Sequence, residues 1–381
     1  MNTVFDKWGT VIDDRLSSSC IIFITDITGI ITTKFQKMKK ITILIAIAFV
    51  TIPHLSSAQF GYGKISEIED LKARKLIVII QAPMDKVIKK LTKKKHEDKI
   101  PLYKAAIEEY NTKMKQVADK FWWFSKNGIE YKTYQEIDSL RKAKNKDYAV
   151  LYCASGEMSE MRTGFDESSG LDWTWNTEDE SDDRDYFDGF TEMKVSLLED
   201  IKKTPIMYTV LPDIFPTITS LVLGAQTLQT YMDVRVRQKK DGEDISQREY
   251  MDNSIRKNNP NLNSKTLLIR EDLLTKKLDK DKIKEAYPYK FEIVNKQRLD
   301  SIVFNTDSNY VYAMVVPALN SSFRSNSVYY LQAAIGAGNG EFFGLSMPNL
   351  AASIFSAGMA GHGKKYVEEK NLEDFVKGKT L

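Results

Sequence analysis

Leu76-Ile77-Val78-Ile79-Ile80 is an unbroken aliphatic run, apolar on both faces of a pleated strand. Such a strand has no side fit for water, so it belongs inside a sheet covered on both faces, the habit of parallel strands joined by helical crossovers. The residues that follow suit a crossover. From Met84 to Trp123 the pattern is helical, interrupted at Pro101, with Leu102, Ala105, Ala106, Tyr110, Met114, Val117 and Phe121 at three- and four-residue steps. Asn127-Gly128 signals a turn. Ile129, Tyr131 and Thr133 then alternate as a strand, 134–144 reads as a short polar helix turning Ile137 and Leu140 inward, and 148–154 is a second buried strand. The order βαβαβ implies parallel pairing with right-handed crossovers. Further strands are expected at 193–197 and 206–211, and a helix with a small-residue face at 220–232.

The same order then starts again. Strand 265–269, helix 280–287, alternating Phe291 and Ile293, and strand 310–316 follow one another as their counterparts do. Arg298-Leu299-Asp300-Ser301-Ile302 echoes Glu136-Ile137-Asp138-Ser139-Leu140, and Tyr312-Ala313 is matched to Tyr148-Ala149. Strands at 329–337 and 342–347 precede Pro348, which parallels Pro212, and a small-residue helix is expected after each proline. The spacing between equivalent points falls from 190 (265 − 75) to 162 (300 − 138) to 136 (348 − 212), which two insertions in the first copy would explain. The fold class is therefore read as α/β, with two related units (βαβαβ, then a β-pair and a helix) in tandem and mixed, mostly parallel sheets. The first unit spans 59–237 and the second 264–381. The charged stretch 238–263, with Asp241-Gly242 and Asn259-Pro260, reads as a linker.

The N-terminal region carries an address. Met38-Lys39-Lys40, the uncharged run 41–52, Pro53 and the small residues Ser56-Ser57-Ala58 ahead of Gln59 have the form of a secretory signal peptide over 38–58. A run of about 12 residues is too short to span a bilayer, which takes about 20. Residues 1–37 are read as a spurious leader, with Met38 as the start; an N-terminal membrane anchor is the rival reading. Cleavage would leave 323 residues (381 − 58) with 49 Lys+Arg (55 − 6) against 48 Asp+Glu (52 − 4). The expected location is the periplasm or the exterior, with no stable transmembrane span in the mature chain. Cys153 would be its one cysteine, placed on a buried strand rather than as a reactive thiol, so no internal disulfide is available.

The near-even charge balance argues against nucleic acid as a partner. Two histidines and one cysteine after Ala58 make a His/Cys metal site improbable, no cofactor motif is present, and neither HExxH, CxxC nor G-x-S-x-G occurs, so no catalytic residue is assigned. Gly336-Ala337-Gly338-Asn339-Gly340 precedes a strand rather than a helix and reads as a hairpin turn, not a phosphate cradle. Lysines 86, 89, 90, 93, 94, 95 and 99 form either a solvated helix end or a contact for an anionic envelope surface. The stretch 156–190 is acidic and aromatic. Trp173, Trp175, Asp182, Asp183, Asp185 and Tyr186 are the candidate ligand-binding residues, because aromatics beside carboxylates suit a sugar- or peptide-binding rim; calcium at the carboxylates is the sharper alternative to a solvated loop. The functional expectation is an exported, soluble envelope protein that binds an envelope protein or a small ligand without catalysis. The alternative is a carboxylate-based hydrolase acting on glycan or peptide.

Overall fold

The computed structural model describes residues 63–157, 189–213, 215–240, 245–320, 327–347 and 365–380. Helix α1 (Ile65–Ala73) leads into β1 (Lys75–Ile79). Then follow α2 (Asp85–Lys93), α3 (Lys99–Phe121), β2 (Ile129–Lys132), α4 (Tyr134–Lys142), β3 (Tyr148–Glu157), β4 (Gly189–Leu197), β5 (Met207–Val210) and α5 (Ile218–Lys240). After α6 (Gln247–Asn258) come β6 (Thr266–Arg270), α7 (Lys280–Ala286), β7 (Phe291–Val294), α8 (Lys296–Phe304), β8 (Tyr310–Asn320), β9 (Ser327–Gly336), β10 (Phe342–Ser346) and α9 (Glu369–Val376).

The ten strands form two five-stranded sheets of one topology. The first runs β2-β1-β3-β4-β5 and the second β7-β6-β8-β9-β10. In each, the first strand pairs in parallel with the second and third, and the last two ladders are antiparallel. The sheets are thus half parallel rather than mostly parallel, because the long βαβ crossovers stop after the third strand and hairpin-like returns take over. The α/β class and the two similar units stand.

The likeness of the two units reaches individual hydrogen bonds. Leu76 N–H donates to Gly128 O and Leu267 N–H to Lys290 O; Lys75 N–H donates to Asp147 O and Thr266 N–H to Asn309 O. Helices α4 and α8 begin at Thr133 and Asn295 and close with a left-handed residue, Lys144 or Thr306, whose successor's N–H reaches back to Leu140 O or Ile302 O. An Asx turn follows each, from Asn145 and from Asp307. All of these pairs except the first strand's are 162 apart, the first strand's being 191 apart (266 − 75). Register therefore places Tyr310, not Tyr312, opposite Tyr148 in the repeat. The β1–β2 crossover of the first unit is longer by 29 residues (191 − 162). Met193 corresponds to Gln332, an offset of 139, so its β3–β4 connection is longer by 23 (162 − 139).

Two sequence boundaries move. Pro101 does not break a helix: it sits in the first turn of α3, where its missing N–H costs nothing, and the break lies at 94–98. The segment 238–263, read as a linker, contains the end of α5 and all of α6, whose Tyr250, Met251 and Ile255 are buried in the main core. The small-residue helix expected after Pro348 lies outside the described residues.

The units stack front to back. The main core gathers α1, α3, α5 and α8 between the two sheets, with Leu76, Val78, Leu151 and Val195 on one side and Leu268, Tyr312, Leu331 and Ile335 on the other. Helix α4 covers the outer face of the first sheet through Ile137, while α7 and α9 cover the outer face of the second through Ile283, Leu372 and Phe375. Helix α3 thus lies inside the stack and its counterpart α7 outside it, while α8 lies inside and its counterpart α4 outside at the other end. At the seam Phe121 meets Phe304 edge to face at 5.7 Å, and Lys120 donates to Phe304 O at 2.6 Å.

Helix α5 is the axle of this arrangement. Gly224 lets it close on the first sheet, since a Cβ there would sit 2.8 Å from Leu211 and 3.0 Å from the Met193 sulfur. Its N-terminus is held by carboxylates from both units: Asp213 accepts from Thr217 Oγ1 and Ser220 Oγ, and Asp300 accepts from Thr219 N and Oγ1 at 2.8 and 2.6 Å. Buried Arg270 at the end of β6 bridges to Asp213. Gln229, fully buried, accepts from Trp123 N and Phe124 N and donates to Phe121 O, capping α3 from the side.

Stacking explains a difference between the two equivalent helices. Arg141 and Lys142 of α4 face water, whereas Val303 and Phe304 at the same places in α8 face the first unit. Val303→Arg should therefore destabilise the protein by about 3–5 kcal/mol, the cost of an unpaired buried charge, whereas Arg141→Val should change it by less than about 1 kcal/mol. Urea denaturation of the two variants checks the asymmetry.

Candidate functional site

Strand β4 alternates. Met193, Val195 and Leu197 point into the main core, so Glu192, Lys194 and Ser196 point to the outer face. A strand with one polar face ordinarily shows that face to solvent. Here it does not: Glu192 is 0% exposed, Ser196 1% and Lys194 5%. Cross-strand pairing sets Ser196 opposite Val150, level with Ile77 inside β1, Lys194 opposite Tyr152 at the end of β1, and Glu192 opposite Ala154, so the Glu192 end of the cluster rests on the part of β3 that runs on past the end of β1. This is the C-terminal edge of the parallel strands, where the strand order reverses between β1 and β3 and where open α/β sheets form ligand crevices.

The electrostatics are lopsided. Lys194 Nζ lies 2.7 Å from Glu192 Oε2, while Glu192 Oε1 has no hydrogen-bond donor among the described residues. Burial pushes the Glu192 carboxyl above the ordinary glutamate range, against the pull of the Lys194 ammonium. The Tyr152 hydroxyl, beside Ser196, is likewise pushed up by burial, with the Glu192 charge adding to the shift.

The second unit supplies an internal control. Its residues at the places of Tyr152, Glu192, Lys194 and Ser196 are Met314, Leu331, Ala333 and Ile335, all apolar and all in the main core. Those four face the core between the sheets, whereas Glu192, Lys194 and Ser196 lie on the outer face of the first sheet, so stacking explains why β9 is apolar there and leaves open what the buried charges on β4 serve. Removing an ion pair from water costs several kcal/mol per ion before their attraction is counted.

Of the other residues singled out from the sequence, Trp173, Trp175, Asp182, Asp183, Asp185 and Tyr186 lie outside the described residues. They belong to the β3–β4 connection, whose ends Glu157 and Gly189 pair with each other, three residues before Glu192. Cys153 is buried under Tyr110, its thiol pushed up by burial to about 12, which makes it an inert core residue. In 121–124, Phe121, Trp122 and Phe124 are buried and Trp123 is half exposed. The Gly336–Gly340 segment is the β9–β10 hairpin turn, with Gly340 at φ +70°. Among the described residues no group of three His, Cys, Asp or Glu side chains is placed to hold a metal ion, and no helix is long and apolar enough to cross a membrane. No family model, curated protein or solved structure matches the chain.

Two outcomes follow from the buried pair. Glu192→Leu alone strands the Lys194 charge and should cost about 3–5 kcal/mol, whereas Glu192→Leu with Lys194→Ala, the residues of the second unit, should be neutral or stabilising by about 1–4 kcal/mol in chemical denaturation. Because the folded-state pKa of Glu192 is raised, the folded protein holds that proton more tightly than the unfolded chain. Its stabilising contribution is present at low pH and lost as pH rises above the ordinary glutamate range. The stability of the native protein relative to Glu192→Gln should accordingly fall with pH, measured by urea unfolding from about pH 4 to about pH 8.

Proposed function

We propose that this chain is an exported, soluble cell-envelope protein that binds a ligand without transforming it, and that its first unit does so at the C-terminal edge of β1 and β3. The observation that carries the proposal is the buried Glu192–Lys194 pair on the outer face of β4, with Glu192 Oε1 lacking a donor among the described residues. A carboxylate with one oxygen that has no donor among the described residues, beside an ammonium, suits a small ligand that brings an N–H donor to Glu192 and a negative group to Lys194. The zwitterionic backbone of an amino acid or short peptide has that pairing. The hydrolase alternative needs two carboxylates facing one bond. At this site Glu192 faces an ammonium, an arrangement for holding rather than for paired acid–base chemistry. The aromatic and acidic residues Trp173, Trp175, Asp182, Asp183, Asp185 and Tyr186 enter this reading as a candidate rim, because their connection ends three residues from Glu192. Export rests on the 38–58 signal pattern.

A thermal-shift screen of amino acids, short peptides and simple sugars tests the reading. A ligand at 100 times its Kd adds about 2.7 kcal/mol to stability. Amino acids or peptides should raise the melting temperature of the native protein and leave that of Glu192→Leu/Lys194→Ala unmoved, with Trp173→Ala/Trp175→Ala intermediate. A shift of equal size in the native and doubly substituted proteins would remove the site from consideration.

A further inference from the structure

The first unit carries an element that its repeat does without. Where the second unit passes from β6 to β7 through one seven-residue helix, α7, the first inserts α2 ahead of its long crossover helix. Helix α2 buries Val87 and Leu91 and turns Lys86, Lys89, Lys90 and Lys93, spaced i, i+3, i+4 and i+7, to the other side, where all four are exposed. Among the described residues none of the four, nor exposed Lys95, makes an ion pair. Among the described residues the face is therefore positive and unpaired.

It is also held in place. The helix ends in a Schellman motif in which Lys95 takes the left-handed position, φ 61°, with Lys95 N–H on Thr92 O and His96 N–H on Leu91 O. A left-handed conformation costs a non-glycine residue about 1–2 kcal/mol, and lysine occupies the place where glycine is usual. At the other end Met84 N–H donates to the Tyr103 hydroxyl at 2.9 Å, fixing the start of α2 against α3. Beyond the corner Leu102, 68% exposed, is the most exposed large apolar side chain among the described residues, and it shares a helical face with Lys99 three residues earlier.

We propose that the α2–α3 corner docks on an anionic lipid bilayer, with the lysines of α2 over the headgroups and Leu102 entering the interface. Three features favour a bilayer over an acidic protein. The positive charges across 85–99 are all lysine, seven against Asp85, Glu97 and Asp98, with no arginine to offer the bidentate fork that carboxylate recognition favours. They stand on a single convex helix of about 13 Å, which a flat anionic surface fits. An exposed leucine beside a lysine cluster is the amphipathic pairing of interfacial helices. The proposal is independent of the ligand site on β4.

Vesicle co-sedimentation of the full chain on phosphatidylglycerol/phosphatidylcholine and on pure phosphatidylcholine vesicles tests it, with Lys86→Gln/Lys89→Gln/Lys90→Gln/Lys93→Gln and the corresponding four-arginine variant in parallel. The apolar run 41–52 is common to all three proteins, so differences among them report on α2 alone. The native protein should bind the anionic vesicles at least tenfold more tightly than the neutral ones, lose at least tenfold with four glutamines, keep its binding with four arginines, and weaken as salt rises. Leu102→Asp should weaken binding further at high salt than at low. Equal binding by the native and four-glutamine proteins overturns the proposal. So does binding to soluble polyglutamate but not to vesicles, which would assign the face to an acidic protein instead.

Discussion

The second sheet cannot be covered without the first unit. Its inner face, Leu268, Tyr312, Met314, Leu331, Ala333 and Ile335, meets helices of which only α8 comes from its own unit, and that helix is itself lodged against α5 and α3. The consequence is a heterologous stack: the α3 side of the first unit receives the α8 side of the second. Such contacts do not close on themselves, so the two outer faces differ, and each must be fitted to end the stack. Helix α4 ends it on one side by exchanging the Val303 and Phe304 of its counterpart for Arg141 and Lys142. On the other side the second sheet is closed by α9, brought against β10 so tightly that a Cβ at Gly344 would stand 2.8 Å from the Phe375 backbone.

Two of the buried polar clusters on the sheets behave differently. Under α9, Ser346 donates to Asp374 at 2.7 Å, Asn371 donates to both Ser346 and Gln332, and Lys379 pairs with Asp374. Each partner is used, the network anchors a helix, and its removal would unseat α9 from the sheet. On β4, among the described residues, the cluster anchors no helix and leaves Glu192 Oε1 without a donor. A fully bonded buried network can contribute to specifying a fold, whereas a partly bonded one lowers stability. The first is therefore accounted for by packing and the second is not.

Much of this could be read from residues alone. Aliphatic runs at 76–80 and 267–269 gave the central strands, and the matching Asp-Ser helices gave the repeat, because buried strands and their crossovers leave local patterns. What escaped was what depends on distant cover. Gly189-Phe190-Thr191-Glu192-Met193-Lys194-Val195-Ser196 alternates as a half-exposed strand does, and nothing local says that its polar side is buried. The one available signal was the comparison of repeats in register, and that comparison was two residues out at Tyr148. Likewise α6 has only Tyr250, Met251 and Ile255 to mark it; three apolar residues among charged ones specify a helix only once β10 is there to receive them.

The repeat also shows where the first unit has been elaborated. Its two insertions, of 29 and 23 residues, leave from β1 and from β3, and in both strands the departure is from the C-terminal end. Strand β4 runs antiparallel to β3, so Glu192, near its start, returns to that same end. The second unit has short connections there and an apolar strand. Independent drift would scatter loop growth and polar substitution over both ends of a sheet and over both units. Their concentration at one edge of one sheet, the edge at which an α/β topology opens a crevice, ties the position of the buried pair to the position of the added chain. The shared scaffold has been kept plain in the second copy and elaborated in the first, at the strand ends from which both long connections leave.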